Sequence, residues 1–598
     1  VNLALAYFDI GSGAETVLRE TRGAGELAAL FATLCERFVS WAEQELLHRA
    51  DRDEALAALR FPHADFRPGQ RQLAEAVFKA NASGRCLMAQ APTGIGKTVG
   101  TLFPVLKAMP TERLDKVFFL AAKTPGRQLA LDAANSLGAA SMPLRVLELA
   151  AREKACEHPD KVCHGQSCPL AKGFYDRLPT ARAAALDEPV LDREALRRVG
   201  LAHDVCPYYL GSEMARWSDV VVGDYNYYFD SGAMLYSLAL ASQWRVSVLV
   251  DEAHNMVSRA RAMYTASLDR LSLRLARAAA PAVPKKALGR VSRAWGEIDK
   301  DAAQPYSVLP SLPDKLLTAL QGATSAITDF MAEHPAPLPP ELQRFYFDAL
   351  HFQRLAEAFG EHSLCDLTID GARDSSICIR NVVPAPFLKA RFALTRSTTL
   401  FSATLSPWHY YGDTLGLPED TAWIDVDSPF AASQLAVRVA GRISTRYQHR
   451  QASLAPIAEL VASQYAAQPG NYLAFFSSFD YMEQAAALLA ERHPDIPQWQ
   501  QARRMSEAER TAFLDRFSPD GRGIGFAVLG GSFGEGIDLP GARLIGAFVA
   551  TLGLPQLNPV NEQLRQRMQA VFGAGYEYTY LYPGIQKVVQ AAGRVIRT

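Results

Sequence analysis

Ala91-Pro92-Thr93-Gly94-Ile95-Gly96-Lys97-Thr98 follows a short apolar run, Cys86–Ala89, and precedes a stretch that reads as helix. Small residues between a strand and a helix let successive backbone N–H groups surround phosphate oxygens. Thr93, Gly94 and Gly96 would shape that cradle, Lys97 would reach the β- and γ-phosphates, and the Thr98 hydroxyl would ligate Mg²⁺. A glycine-rich turn with an exposed lysine is the bland alternative. The preceding strand and the intact Gly-Lys-Thr weigh against it.

Further along, Val248-Leu249-Val250 runs into Asp251-Glu252-Ala253-His254. An acidic pair at the carboxyl end of a buried strand lies where an α/β fold places ligand chemistry. Asp251 would hold Mg²⁺ through water, and Glu252 would act as general base on the attacking water. By itself such a pair is more often a solvated strand end, but a phosphate loop in the same chain favours the catalytic reading.

Outward from these motifs, continuous apolar runs recur at Val117–Leu120, Val220–Val222, Thr399–Phe401, Tyr472–Phe476 and Leu544–Val549. Runs apolar on both faces suit parallel strands covered by helices, so the expected class is α/β with two parallel-sheet units. The first would span 61–255 and 389–407, and the second 408–598. Two stretches interrupt the first: a Cys-rich segment, 150–216, and a mostly helical one, 256–388. Residues 1–60 stand apart. Leu3 to Ile10 and Glu15 to Leu18 read as a hairpin. A long helix follows, with Leu27, Leu30, Phe31, Leu34, Phe38 and Trp41 at helical spacing, which predicts a buried face.

The chain has 598 residues, too many for one core. Its hydrophobic fraction of 49% and charged fraction of 21% are those of an ordinary globular protein. No apolar run is long enough to span a bilayer and no signal-peptide pattern opens the chain, so no membrane partner is expected. The formal net charge is −1, so contacts with nucleic acid would have to come from local basic surfaces. Eight cysteines argue against a secreted disulfide scaffold and for a reducing, cytoplasmic setting.

Four of these, Cys156, Cys163, Cys168 and Cys206, are separated by six, four and thirty-seven residues. Thiolates gathered in this way suggest a metal centre. Tetrahedral Zn²⁺ and a 4Fe–4S cluster both accept four thiolates, although zinc sites usually show tight Cys-x₂-Cys pairs. Arg152, Lys154, Lys161, Lys172 and Arg177 add local positive charge. Cys35, Cys86, Cys365 and Cys378 read as ordinary thiols.

From about Phe61 to Thr598 the motifs resemble superfamily 2 helicases, and their order and spacing resemble the XPD/DinG group. Asp251 to His254 and Ser402-Ala403-Thr404-Leu405 look like its motifs II and III. Phe66-Arg67-Pro68-Gly69-Gln70 looks like its adenine-recognition element, with Gln70 as reader. Gly534-Glu535-Gly536-Ile537-Asp538 looks like motif V, and Gln590 to Arg597 like motif VI. The resemblance implies two RecA-like motor domains. It also implies nucleotide contact by Gln590, and arginine fingers at Arg594 and Arg597 that stabilise charge on the γ-phosphate. Cys206-Pro207-Tyr208 resembles the last cluster ligand of such helicases, which implies a 4Fe–4S cluster on the four cysteines. The insertion 256–388 matches the family's arch, where Lys285, Lys286, Arg290 and Arg293 could line a DNA passage.

The implied activity is an ATP-dependent DNA helicase, a monomer acting on single-stranded and forked duplex DNA with 5′ to 3′ polarity. A nucleotide-gated DNA-binding scaffold and an RNA-remodelling ATPase are the alternatives. The chain begins at Val1 and reads as part of a longer protein. Some bacterial relatives resemble fusions with an upstream RecB-like nuclease, whose end residues 1–60 would suit. No Asp…Glu-x-Lys constellation is present, so this chain is expected to have no nuclease activity.

Overall fold

The computed structural model describes residues 1–9, 12–302, 304–334, 337–371, 374–531, 533–534, 537 and 539–596. Runs of Val, Leu and Phe form two parallel sheets, the α/β class expected. Eight strands make the first, in the order Ala422–Asp425, Leu87–Gln90, Ser397–Ser402, Val246–Asp251, Lys116–Ala121, Val220–Gly223, Val146–Glu148 and Val190–Leu191. All seven neighbouring pairs are parallel. Alternate side chains of Lys116–Ala121 feed the two faces. Val117 and Phe119 pack with Leu73, Val105 and Phe401, whereas Phe118 and Leu120 pack with Tyr225 and Tyr228.

The second of these clusters continues unbroken into the segment 256–388 through Trp295, Phe345 and Phe352. The insertion is therefore packed on the first parallel-sheet unit, not tethered to it. It contains the expected long helices, Ala282–Asp301, Asp314–Glu333 and Pro340–Glu357. It also holds an antiparallel sheet of Tyr306–Val308, Ser363–Asp370, Asp374–Asn381 and Ala266–Asp269, in that order. The end of the first unit falls later than Trp408, because Ala422–Asp425 pairs along Leu87–Gln90 as an edge strand. The second sheet, Gln498–Gln500, Gly523–Val528, Asn471–Phe476 and Gly546–Val549, is also wholly parallel.

At the amino terminus, Asn2–Phe8 and Glu15–Thr21 pair as the expected hairpin, and the helix Ala24–Ala58 follows. Its apolar stripe departs from expectation: Leu30, Phe31, Leu34 and Phe38 are all more than half exposed. Only the later half of the helix reaches the motor. There Glu45 accepts from Arg145 at 2.7 Å, Arg49 donates to Asp115 at 2.8 Å, and Lys107 donates to the Leu59 carbonyl at 3.0 Å. His48 and Arg52 meet the buried Asp219 at 2.9 and 2.8 Å. Among the described residues no helix is long and apolar enough to cross a membrane.

Asp219 fixes this attachment. Burial works against its charge, yet His48 and Arg52 hold its carboxyl well below the usual range. A depressed carboxyl stabilises the fold above its unfolded-state pKa, and the contribution is lost only as pH falls through the folded value. Asp219→Asn would leave Arg52, only 3% exposed, without its main counter-charge. Removing one partner of a buried pair costs about 3–5 kcal/mol. Urea unfolding at neutral pH should show that loss as a lower midpoint; an unchanged midpoint would show that the network contributes nothing.

Candidate active site

Gly94 and Gly96 have φ of 86° and 75°, a left-handed backbone that a Cβ would strain. They turn the chain from Leu87–Gln90 into the helix Lys97–Glu112, whose first residues carry Lys97 and Thr98. Lys97 Nζ lies 3.5 Å from the Pro92 carbonyl, and Thr93 and Thr98 are partly exposed in the loop. Arg67 Nη1 donates to the Gly94 carbonyl at 2.7 Å. Gln70 lies buried behind the loop: its Oε1 accepts from Arg67 N, and its Nε2 donates to the Gly96 carbonyl, both at 3.1 Å. Both ends of the amide expected to read adenine thus engage the protein backbone. From the other side the Phe430 ring covers Gly94, where even a Cβ would come within 3.3 Å of it.

Asp251 closes the strand Val246–Asp251 and is buried. Glu252 follows with φ of +50°, unusual for a residue with a side chain. Its Oε2 accepts from Ser402 Oγ at 3.0 Å and lies 3.2 Å from His254 Nδ1, which is 2.7 Å from the same Ser402 Oγ. Burial and the adjacent Glu252 charge push the Asp251 carboxyl above the usual carboxylate range. Glu252 moves the other way: burial opposes its charge, but His254, Lys97 and Ser402 hold it below the usual carboxylate range.

The last helix of the second domain, Tyr582–Ala592, meets this site. Gln590 Nε2 lies 3.4 Å from Thr404 Oγ1, and Gln586 Nε2 lies 3.5 Å from the His254 carbonyl. Tyr411 completes the contact by donating to Gln586 Oε1 at 3.3 Å. Arg594 Nη1 donates within its own domain, to the Ile537 carbonyl at 3.1 Å. Arg597, like Glu535, Gly536 and Asp538, lies outside the described residues. Sequence reasoning placed Arg67 in the adenine-recognition element without a role of its own, and it missed Tyr411 and Gln586. Only Gln586 carried a usable signal, one helical turn before Gln590 on the same face.

Cys206 caps the helix Pro207–Met214. Burial raises its thiol above the ordinary range, and Cys156 and Cys163 lie near enough for their charges to add to the rise. Cys156 and Cys168 are partly exposed, Cys163 is exposed, and none of them forms a disulfide. Among the described residues no three His, Cys, Asp or Glu side chains converge to seat a single metal ion. Lys154 ties the segment to the motor by donating to Thr124 Oγ1 at 3.1 Å. Lys285, Lys286, Arg290 and Arg293 are all exposed on Ala282–Asp301.

A phosphate loop and an acidic pair on one parallel sheet, met by the last helix of a second, define a two-domain RecA-like motor. The DEAD_2 family profile matches residues 114–273, and that of the Helicase C-terminal domain matches residues 461–598. Both profiles support the resemblance of this chain to the XPD/DinG-like helicases of superfamily 2. It is similar to the Regulator of telomere elongation helicase 1 homolog of Anopheles gambiae, at 34% identity over 126 residues, 19% of this chain and 12% of that protein. It is also similar to the XPD helicase subunit of general transcription and DNA repair factor IIH of Dictyostelium discoideum, at 24% identity over 33% of this chain and 29% of that one. The chain thus spans well under half of these relatives. Among solved structures, an XPD helicase superimposes with a TM-score of 0.58 at 16% identity, over 90% of this chain and 94% of that one, a likeness of fold.

Ser402 joins Glu252 to His254, so Ser402→Ala tests the arrangement. Hydrogen bonds to charged groups contribute about 1.5–3 kcal/mol, and even the lower end of that range corresponds to about a tenfold change. ATP turnover should fall by that factor with KM for ATP little changed; unchanged turnover would show that Ser402 does not orient Glu252.

Proposed function

We propose that this chain is the motor of an ATP-dependent DNA helicase that moves 5′ to 3′ along single-stranded DNA and unwinds duplex, in repair or replication. The observation that carries the reading is the meeting of the two domains at the acidic pair, through Gln586 to His254 and Gln590 to Thr404. Lys97, Thr98 and Asp251 would hold ATP and its Mg²⁺, which would neutralise charge on the phosphates. Glu252 polarises the attacking water. Arg594 leaves Ile537 as the domains close and, with Arg597, stabilises the γ-phosphate. Relaxation of those contacts after hydrolysis reopens the domains and advances the strand.

The two insertions supply the DNA path. Between them lies a cleft of about 520 Å³ lined by Val162, His164, Gln166, Met331, Tyr346 and Phe347. Phe347 is 56% exposed and available to stack on a base. Cys156, Cys163, Cys168 and Cys206 would hold a 4Fe–4S cluster whose role is to fix the fold of this segment. Cys156 and Cys163 lie near enough to Cys206 for their charges to raise its thiol, and that proximity supports the reading. So do the free thiols, which suit a reducing cytoplasm.

Anaerobically purified protein should be brown, carry about four irons per chain, and hydrolyse ATP faster with single-stranded DNA. A colourless zinc protein would overturn the cluster, and equal stimulation by RNA would remove the DNA assignment. Base stacking contributes about 1–3 kcal/mol, so Phe347→Ala should raise the DNA concentration for half-maximal stimulation about tenfold. No change would place the strand elsewhere.

A further inference from the structure

Tyr225 lies directly behind the acidic pair. Its hydroxyl donates to the Asp251 backbone carbonyl and lies 3.0 Å from that of Glu252. In an extended strand successive carbonyls point to opposite sides, so one hydroxyl can meet two in a row only where the chain reverses. It does reverse: Glu252 has φ of +50°, which is unfavourable for a residue with a Cβ. The reversal takes the Glu252 carboxylate out of line with the strand and onto Ser402 and His254.

Tyr225 is itself held firmly. The residue is fully buried, and its neighbours Asp224 and Asn226 both accept from Arg259 Nη2, at 2.5 and 2.7 Å. The Arg259 guanidinium sits 5.8 Å from the centre of the Tyr225 ring. Arg259 belongs to the helix Met256–Met263, which leads into the large insertion. A buried tyrosine needs an acceptor somewhere. Here the acceptors are the two carbonyls that define the turn at the proposed base.

We propose that Tyr225 is a positioning residue for ATP hydrolysis, holding Glu252 in the left-handed turn that aims its carboxylate at the attacking water. The proposal depends on the reading of Glu252 as general base. It predicts that removing one hydroxyl, which bonds only backbone carbonyls behind the acidic pair, slows chemistry and leaves binding intact.

Tyr225→Phe in the full chain removes only that hydroxyl. Tyr228→Phe is the control, since Tyr228 is equally buried and donates to the Arg391 carbonyl at 3.0 Å, away from the acidic pair. Tyr225→Phe should lower kcat for ATP at least tenfold, with KM and the affinity for a fluorescent ATP analogue within twofold of wild type. Tyr228→Phe should keep wild-type kcat, with a comparable fall in melting temperature. Wild-type kcat in Tyr225→Phe, equal losses of kcat in both variants, or a loss confined to KM would overturn the positioning role. Glu252→Gln, assayed alongside, separates the two readings. Full turnover there overturns the general base itself, and loss there with normal Tyr225→Phe overturns only Tyr225.

Discussion

Three neighbouring parallel strands that end at one level determine where chemistry can occur in this protein. Ser402 pairs with Gln90, and Phe401, one residue earlier, pairs with Asp251. The phosphate loop, the Asp251–His254 turn and the Ser402–Leu405 segment therefore leave the sheet side by side. Parallel register makes this possible, because the carboxyl ends of all three strands open on the same edge. From that edge Ser402 can hold both Glu252 and His254, and Lys97 can bias the charge of both acids. Glu252 is the point of greatest constraint. Its turn is locally unfavourable, and Ser402, His254 and Tyr225 hold it.

The second domain adds contacts that depend on the state of that edge. Gln586 and Gln590 reach the backbone of His254 and the side chain of Thr404, and Tyr411 joins the same group from the first domain. These bonds are long, at 3.3–3.5 Å. A contact meant to be broken and remade in each cycle would be of this kind. Elsewhere the interface is firmer: Met568 and Tyr578 join the apolar core of the first domain, and Tyr578 donates to Asp413. On the proposed function, one part of the interface acts as a hinge and the part beside the nucleotide as the moving jaw.

Much of the fold was legible because buried parallel strands are written as unbroken apolar runs. Val246–Asp251 and Asn471–Phe476 were read from that signal alone. Gly523–Val528 was not, since its glycines, pressed against Trp499 and Phe517, interrupt the run. Ala422–Asp425 is too short and too exposed to announce itself. The sheet within the large insertion went unread, although Ser363–Asp370 and Asp374–Asn381 flank Gly371, which has a φ of +71°. The stripe on Ala24–Ala58 was legible as a stripe, but periodicity cannot say whether anything covers it. In the site, motif residues were found because their chemistry constrains their spacing. Tyr411 and Tyr225 bond backbone carbonyls or a neighbouring amide, and such contacts leave no pattern in a sequence.

The central claim is that nucleotide closes the two domains on one another and hydrolysis releases them. Fluorescent labels introduced at the exposed residues Glu75 and Glu483 would report on that movement directly. Two distances should exchange during ATP turnover on single-stranded DNA, with one of them locked in by a non-hydrolysable ATP analogue. A single distance, unchanged by nucleotide, would contradict it.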